Sequence, residues 1–181
     1  MLALDALNTR RSVRNFQPEF VIPKEDLEKI ISAASNSPSA MNLQDYDMVV
    51  ITNKEKIAEV DKIVFPLMPP QFQERFKKRQ EMFGTKNPVT YDCSALVLIV
   101  ENERISEKWG DMDAGILSMG LMIAAEGLGY HSVPLAVVAK PEVAKLFGIE
   151  KKLVLGVAIG KAKDKVNIHD KGNLRKITYI E

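Results

Sequence analysis

The most constraining feature of this chain is a long segment that no solvated helix would carry. Between residues 114 and 125 there is no charged side chain. The wider stretch, residues 111–128, reads as a helix that is apolar almost all round, with charge only at its ends. Such a helix has to be buried on most sides. The uncharged core is 12 residues long, and a bilayer crossing needs about 20, so the cover must come from protein. Three nearly continuous apolar runs are available: residues 46–52 (YDMVVIT), 93–100 (CSALVLIV) and 153–160 (LVLGVAIG). Runs of this kind read as strands covered on both faces.

The remaining pattern supplies helices. One is expected at residues 3–8 and another at 23–34, where Pro23 suits a first helical position and Leu27, Ile30, Ile31 and Ala34 form one stripe. Asn53 can cap a third helix with Ile57, Val60 and Val64 on its apolar face. The breaker FPLMPP precedes a fourth at residues 71–83. After the long helix, Gly129 sits where a left-handed cap belongs. A short strand (SVPLAVV) and a short helix, 142–147, follow. Two helices come before the first strand, so the order is not a βαβ alternation and predicts an α+β fold. No Gly/Ser/Pro-rich linker or repeat divides the 181 residues, so one domain, 1–181, is expected.

Composition excludes more than it specifies. The net charge is +1, which gives no global attraction to nucleic acid or an anionic membrane. Cys93 is the single cysteine. No intrachain disulfide is possible, and a reducing cytoplasm suits the chain. The N-terminus has the wrong charge order for a secretory signal. His131 and His169 are the only histidines and are far apart, so no zinc-ligand set and no metal is expected. There is no P-loop and no GxSxG. GLGYHS lacks a glycine of the dinucleotide fingerprint and follows a helix. If the chain is an enzyme, a bound cofactor carries its chemistry.

Against this neutral background, residues 9–16 read TRRSVRNF. On an extended segment Arg10, Ser12 and Arg14 project to one face. Guanidinium forks and a hydroxyl together make a receptor for a terminal phosphate. A solvated surface turn is the alternative. About 23 residues further on, the loop SPSAMNLQ offers Ser37, Ser39, Asn42 and Gln44, groups able to bond a polar heterocycle or simply to form a loop.

The pairing of R-x-S-x-R with S-P-S-x-x-N-x-Q resembles the FMN-dependent nitroreductase family. The stretch WGDMDAGILSMGLMIAAEGLGYHSVPLAV, the strand LVLGVAIGKAKD and the terminal GNLRK extend the resemblance along nearly the whole chain. It implies an α+β, nitroreductase-like fold: a central mixed or antiparallel sheet flanked by helices, in an intertwined homodimer. It also implies two FMN sites at the interface and a C-terminal tail, 161–181, extending over the partner. Arg10, Arg11, Ser12 and Arg14, with Asn173 and Arg175, would hold the FMN phosphate and ribityl chain. Pro38, Ser39, Asn42 and Gln44 would reach the flavin from the partner subunit, and Pro134, Leu135 and Ala136 would flank its ring.

The implied activity is hydride uptake from NAD(P)H and reduction of nitroaromatics, quinones or similar acceptors by a ping-pong mechanism, with no dedicated catalytic side chain. Alternatives are other flavin chemistry on the same scaffold, such as reductive dehalogenation or use of a non-nicotinamide donor, or a non-catalytic flavin- or phosphate-binding protein. The chain departs from the family pattern at Asp45, where Pro is usual, and the aromatic that follows is Tyr46 instead of the usual Trp. It departs again at Ala136-Val137, where some relatives carry Glu-Gly, and at Asn173, where a basic residue is common. Residues 65–83 could control access or form an ordinary surface helix.

Overall fold

The computed structural model describes residues 2–164, 172 and 175–180. Asn173 lies outside them. The elements follow the expected order: α1 (Ala3–Thr9), α2 (Lys24–Ser35), β1 (Tyr46–Ile51), α3 (Lys54–Val64), α4 (Pro70–Phe83), β2 (Ala95–Glu101), α5 (Gly110–Gly127), β3 (His131–Leu135), α6 (Pro141–Leu146) and β4 (Leu153–Gly160). Single 3-10 turns occupy Ala40–Asn42, Phe65–Leu67 and Ala136–Val138. Local signals place several boundaries. The Asn53 side chain accepts the Lys56 N–H at 2.9 Å and starts α3. Gly129, at φ 78°, closes α5 as expected.

The four strands form one antiparallel sheet in the order β1-β2-β4-β3. Helices cover both faces. On one, Leu96, Leu98, Val133 and Leu135 pack with Ile57, Val60 and Val64 of α3 and Val143 of α6. On the other, Val97, Ile99, Val157 and Ile159 pack with Leu27 and Ile30 of α2 and Leu121 and Ala125 of α5. The central strand β2 is therefore buried on both sides, and residues 95–99 have no exposed surface. That is why its sequence shows no polar alternation. Full burial of side chains such as Leu96, Leu98 and Ile99 stabilises the fold by about 1.5–3 kcal/mol each.

The long helix departs from expectation in one respect. Within a single chain α5 is not covered on most sides. Met112 is 53% exposed and Ile116 41%, and a Cβ added at Gly115 would meet nothing within 4 Å. The opposite face is tightly packed: a Cβ at Gly120 would collide with the Ser37 hydroxyl and lie 3.5 Å from the Ala34 Cα. Gly120 thus lets α2 and α5 approach closely, while Gly115 faces outward. Among the described residues no helix is long and apolar enough to cross a membrane.

Candidate functional site

The basic N-terminal segment is held in an extended shape by bonds to three other parts of the chain. Ser12 forms a parallel bridge with Ser132 of β3, and the Val13 N–H donates to the Ser132 carbonyl at 3.1 Å. The Phe16 N–H donates to the Tyr91 carbonyl at 3.2 Å, and the Gln17 N–H to that of Lys161 at 2.9 Å. Val13 and Phe16 are buried and act as pins. Ser12 and Arg14 are left half-exposed, and the Arg14 Nη1 donates to the Ser12 carbonyl at 3.2 Å. Arg10 reaches α5, with Nη1 3.9 Å from the Met122 sulfur. Its Nε is buried with no hydrogen-bond partner among the described residues. Arg11 turns back instead. Its Nη1 donates to the carbonyls of Asn8 (2.7 Å), Arg10 (2.9 Å) and Thr9 (3.2 Å), which caps the end of α1.

The β3 segment lies alongside. Val133 and Leu135 point into the core. The alternate residues Ser132 and Pro134 belong to the face that α5 covers, where Pro134 remains exposed, as does Ala136 at the start of the following 3-10 turn. Ser132 is fully buried and its hydroxyl has no partner among the described residues. The His131 Nδ1 accepts the Ala162 N–H at 3.2 Å, and burial pulls its pKa below the usual histidine range. The ring is therefore neutral near pH 7, with its proton on Nε2. Burial pushes the Cys93 thiol up, as suits a packing residue. Arg175 is exposed.

The loop with the second motif has an unusual backbone. Met41, Asn42 and Gln44 have φ of 51°, 55° and 48°, the left-handed region that costs a non-glycine residue on the order of 1 kcal/mol. Its own atoms offset part of that cost. The Gln44 N–H donates to the Ser39 hydroxyl at 2.9 Å, and the Gln44 amide to the Asn42 Oδ1 at 3.2 Å. Pro38, Asn42 and Gln44 are exposed, and Ser39 is half-buried. Behind the loop is a cavity of about 280 Å³ lined in part by Ser39, Gln44, Asp45, Tyr46, Arg104 and Asp113. Burial, then the carboxylates of Glu101, Asp45, Asp111 and Asp113, push the Tyr46 phenol up to about 12. Asp45, one of the departures from the family pattern, is 1% exposed, and neither of its carboxylate oxygens has a hydrogen-bond partner among the described residues.

Among the described residues no hydrogen bond joins the two motifs. The loop packs its first residue, Ser37, against Gly120 and is bonded to α5 through Asp113, whereas the basic segment touches the helix through Met122. Nine residues of α-helix separate these points by about 14 Å. Ser132, Asn102, Arg104 and Asp113 were not identifiable from sequence. Ser132 sits in an ordinary strand, and Asp113 looks like any acid favoured in a first helical turn. Asn102 and Arg104 belong to a charged turn with no motif.

The pattern matches a known fold. The family model described as the nitroreductase family aligns with residues 7–161. The Bacillus subtilis protein named "Putative NAD(P)H nitroreductase YdgI" is 28% identical over 186 residues, covering 89% of this chain and 88% of its own. A nitroreductase with bound FMN from Desulfitobacterium hafniense superposes with a TM-score of 0.83 at 24% identity, over 100% of both chains. The FMN-dependent nitroreductase NfnB from Mycobacterium smegmatis, in complex with NADPH, superposes with a TM-score of 0.73 at 20% identity, over 98% of both. The order of elements, the four-stranded antiparallel sheet and the family match agree: the chain belongs to the nitroreductase family.

Proposed function

We propose that the chain is one FMN-binding domain, 1–181, that works as a cytoplasmic homodimer and transfers electrons from NAD(P)H to nitroaromatic, quinone or similar acceptors by a ping-pong mechanism. The observation that carries this reading is the ledge formed by residues 10–14 and β3. Two buried polar groups there, the Arg10 Nε and the Ser132 hydroxyl, have no partner among the described residues. Leaving such groups unsatisfied costs about 1–3 kcal/mol each. A ligand rich in phosphate and hydroxyl oxygens fits them.

In this reading Arg10, Ser12 and Arg14, with Asn173 and Arg175 from the tail, hold the phosphate and ribityl chain. Arg11 supports them by fixing the end of α1. Pro134 and Ala136 lie beside the ring, and Leu135, whose side chain is in the core, offers it only backbone groups. Pro38, Ser39, Asn42 and Gln44 come from the partner subunit. The distance along α5 between the Asp113 bond of the loop and the Met122 contact of the basic segment supports a shared site, and the exposed Met112 and Ile116 face supplies an apolar surface for pairing. The sequence places the start of the tail at residue 161, but residues 161–163 are bonded to Gln17, His131 and Asn15 of their own chain; in this reading the tail extends over the partner only beyond residue 164.

FMN, when bound, supplies the hydride and electron chemistry. The chain's own work is to orient the ring, to place guanidiniums against a dianion, and to leave one side open for donor and acceptor in turn. The test is the double variant Arg10→Ala/Arg14→Ala. It is expected to lose FMN while keeping the wild-type circular dichroism and dimer mass. Unchanged flavin content would refute the assignment. With the wild-type protein, the flavin bands should bleach on adding NADH or NADPH and return on adding a nitroaromatic.

A further inference from the structure

The loop from Pro38 to Gln44 carries three left-handed residues other than glycine, and bonds from elsewhere in the chain hold it. Asp113, 5% exposed in the first turn of α5, accepts the Ala40 N–H with both carboxylate oxygens, at 3.0 and 3.2 Å. Arg104, on the turn after β2, spreads its guanidinium over consecutive carbonyls. Its Nε donates to Leu43 and its Nη2 to Gln44, both at 2.8 Å. Asn102, also 5% exposed, donates from Nδ2 to the Gln44 carbonyl at 2.9 Å and to the Asp47 Oδ1 at 3.0 Å. Its Oδ1 accepts the Arg104 N–H at 2.9 Å, which ties the two supports together. Every bond to the loop ends on a backbone atom. Together they hold its backbone without drawing on the Ser39, Asn42 and Gln44 side chains, whose hydrogen bonds stay within the loop.

We propose that Asp113, Arg104 and Asn102 form a frame that presets this loop for the flavin ring. They are positioning residues that act through the loop's backbone. This rests on the FMN reading above. A loop already held in its bound shape loses little freedom when the ligand arrives, and the frame therefore raises affinity without adding a contact. It acts on the ring end of the site, whereas Arg10 and Arg14 act on the phosphate end.

Riboflavin, the same ring without the phosphate, separates the two ends. Apoprotein is titrated with FMN and with riboflavin by fluorescence quenching, and the absorption spectrum of bound FMN is recorded. Arg104→Gln and Asp113→Ala are each expected to weaken both ligands by a similar factor, on the order of tenfold, and to shift the bound-flavin bands. Asp113→Asn keeps an acceptor for the Ala40 N–H and is expected to restore both affinities. Arg10→Ala/Arg14→Ala should weaken FMN far more than riboflavin. Arg104 is exposed, so Arg104→Gln stays folded even if Asp113→Ala does not. Unchanged riboflavin affinity and spectrum in Arg104→Gln would overturn the frame while leaving the FMN assignment intact. A wild-type protein that binds neither ligand would overturn both.

Discussion

Replacing Gly160 with alanine drives a methyl group into Phe16. A Cβ built on Gly160 lies 2.9 Å from the Phe16 Cδ1, 3.2 Å from its Cγ and 3.2 Å from the Ser94 backbone nitrogen. Phe16 has no exposed surface, so its ring cannot swing into solvent, and the Ser94 nitrogen is tied to the Ile159 carbonyl at 2.9 Å. Overpacking of this kind costs about 1–3 kcal/mol. Alanine recovers about 0.5–1 kcal/mol through the smaller conformational freedom of the unfolded chain. At the middle of these ranges the net loss is about 1 kcal/mol. With an m-value of about 2 kcal/mol/M, the urea midpoint should fall by roughly 0.5 M. The functional consequence follows from chain continuity: Phe16 pins the segment that carries Arg10, Ser12 and Arg14, so the variant should also retain less FMN although no ligand-facing group has changed. Phe16→Leu in the Gly160→Ala background should recover part of the loss, giving a coupling energy of about 1 kcal/mol in a double-mutant cycle. An unchanged urea midpoint, or strictly additive effects, would refute the packing argument.

Two further predictions concern pH and assembly. Burial raises the Asp61 pKa from its ordinary 3.8 to about 6, despite hydrogen bonds from Thr90 and Val89. Between those values the native state binds more protons than the unfolded state. Stability from this group is therefore greatest below pH 4 and declines as pH rises through 6, by roughly 3 kcal/mol. Urea unfolding from pH 4 to 7 should show that decline in wild type relative to Asp61→Asn, and parallel curves would count against it. Ile116→Lys places a charge on the open apolar face of α5. Sedimentation should show a monomer with reduced flavin content, and a flavin-loaded dimer would rule out that face as the pairing surface.

Much of the fold was legible because each signal is local. The Asn53 cap, the FPLMPP breaker and Gly129 set element boundaries within one or two residues. The unbroken apolar runs of β2 and β4 announced strands covered from both sides, and the absence of a βαβ order was enough to select α+β. The motif residues of the candidate site were readable for the same reason, since each motif is a contiguous run. What holds those motifs was not readable. Asp113, Arg104 and Asn102 meet the loop only because β2 and α5 begin or end beside it. Ser132 meets Ser12 only because β3 lies at that edge of the sheet.

The sequence by itself determined which segments become helix and strand, that they bury two apolar layers around one sheet, and which side chains carry positive charge near the N-terminus. These properties follow from periodicity, capping and side-chain chemistry, which neighbours in the chain decide. Only the tertiary structure decided that α5 leaves one apolar face uncovered, that Arg11 caps a helix end instead of joining Arg14, and that the Asp113 bond of the loop and the Met122 contact of the basic segment lie about 14 Å apart along one helix. Those outcomes depend on contacts between residues far apart in the chain, and no local pattern records where such segments will meet.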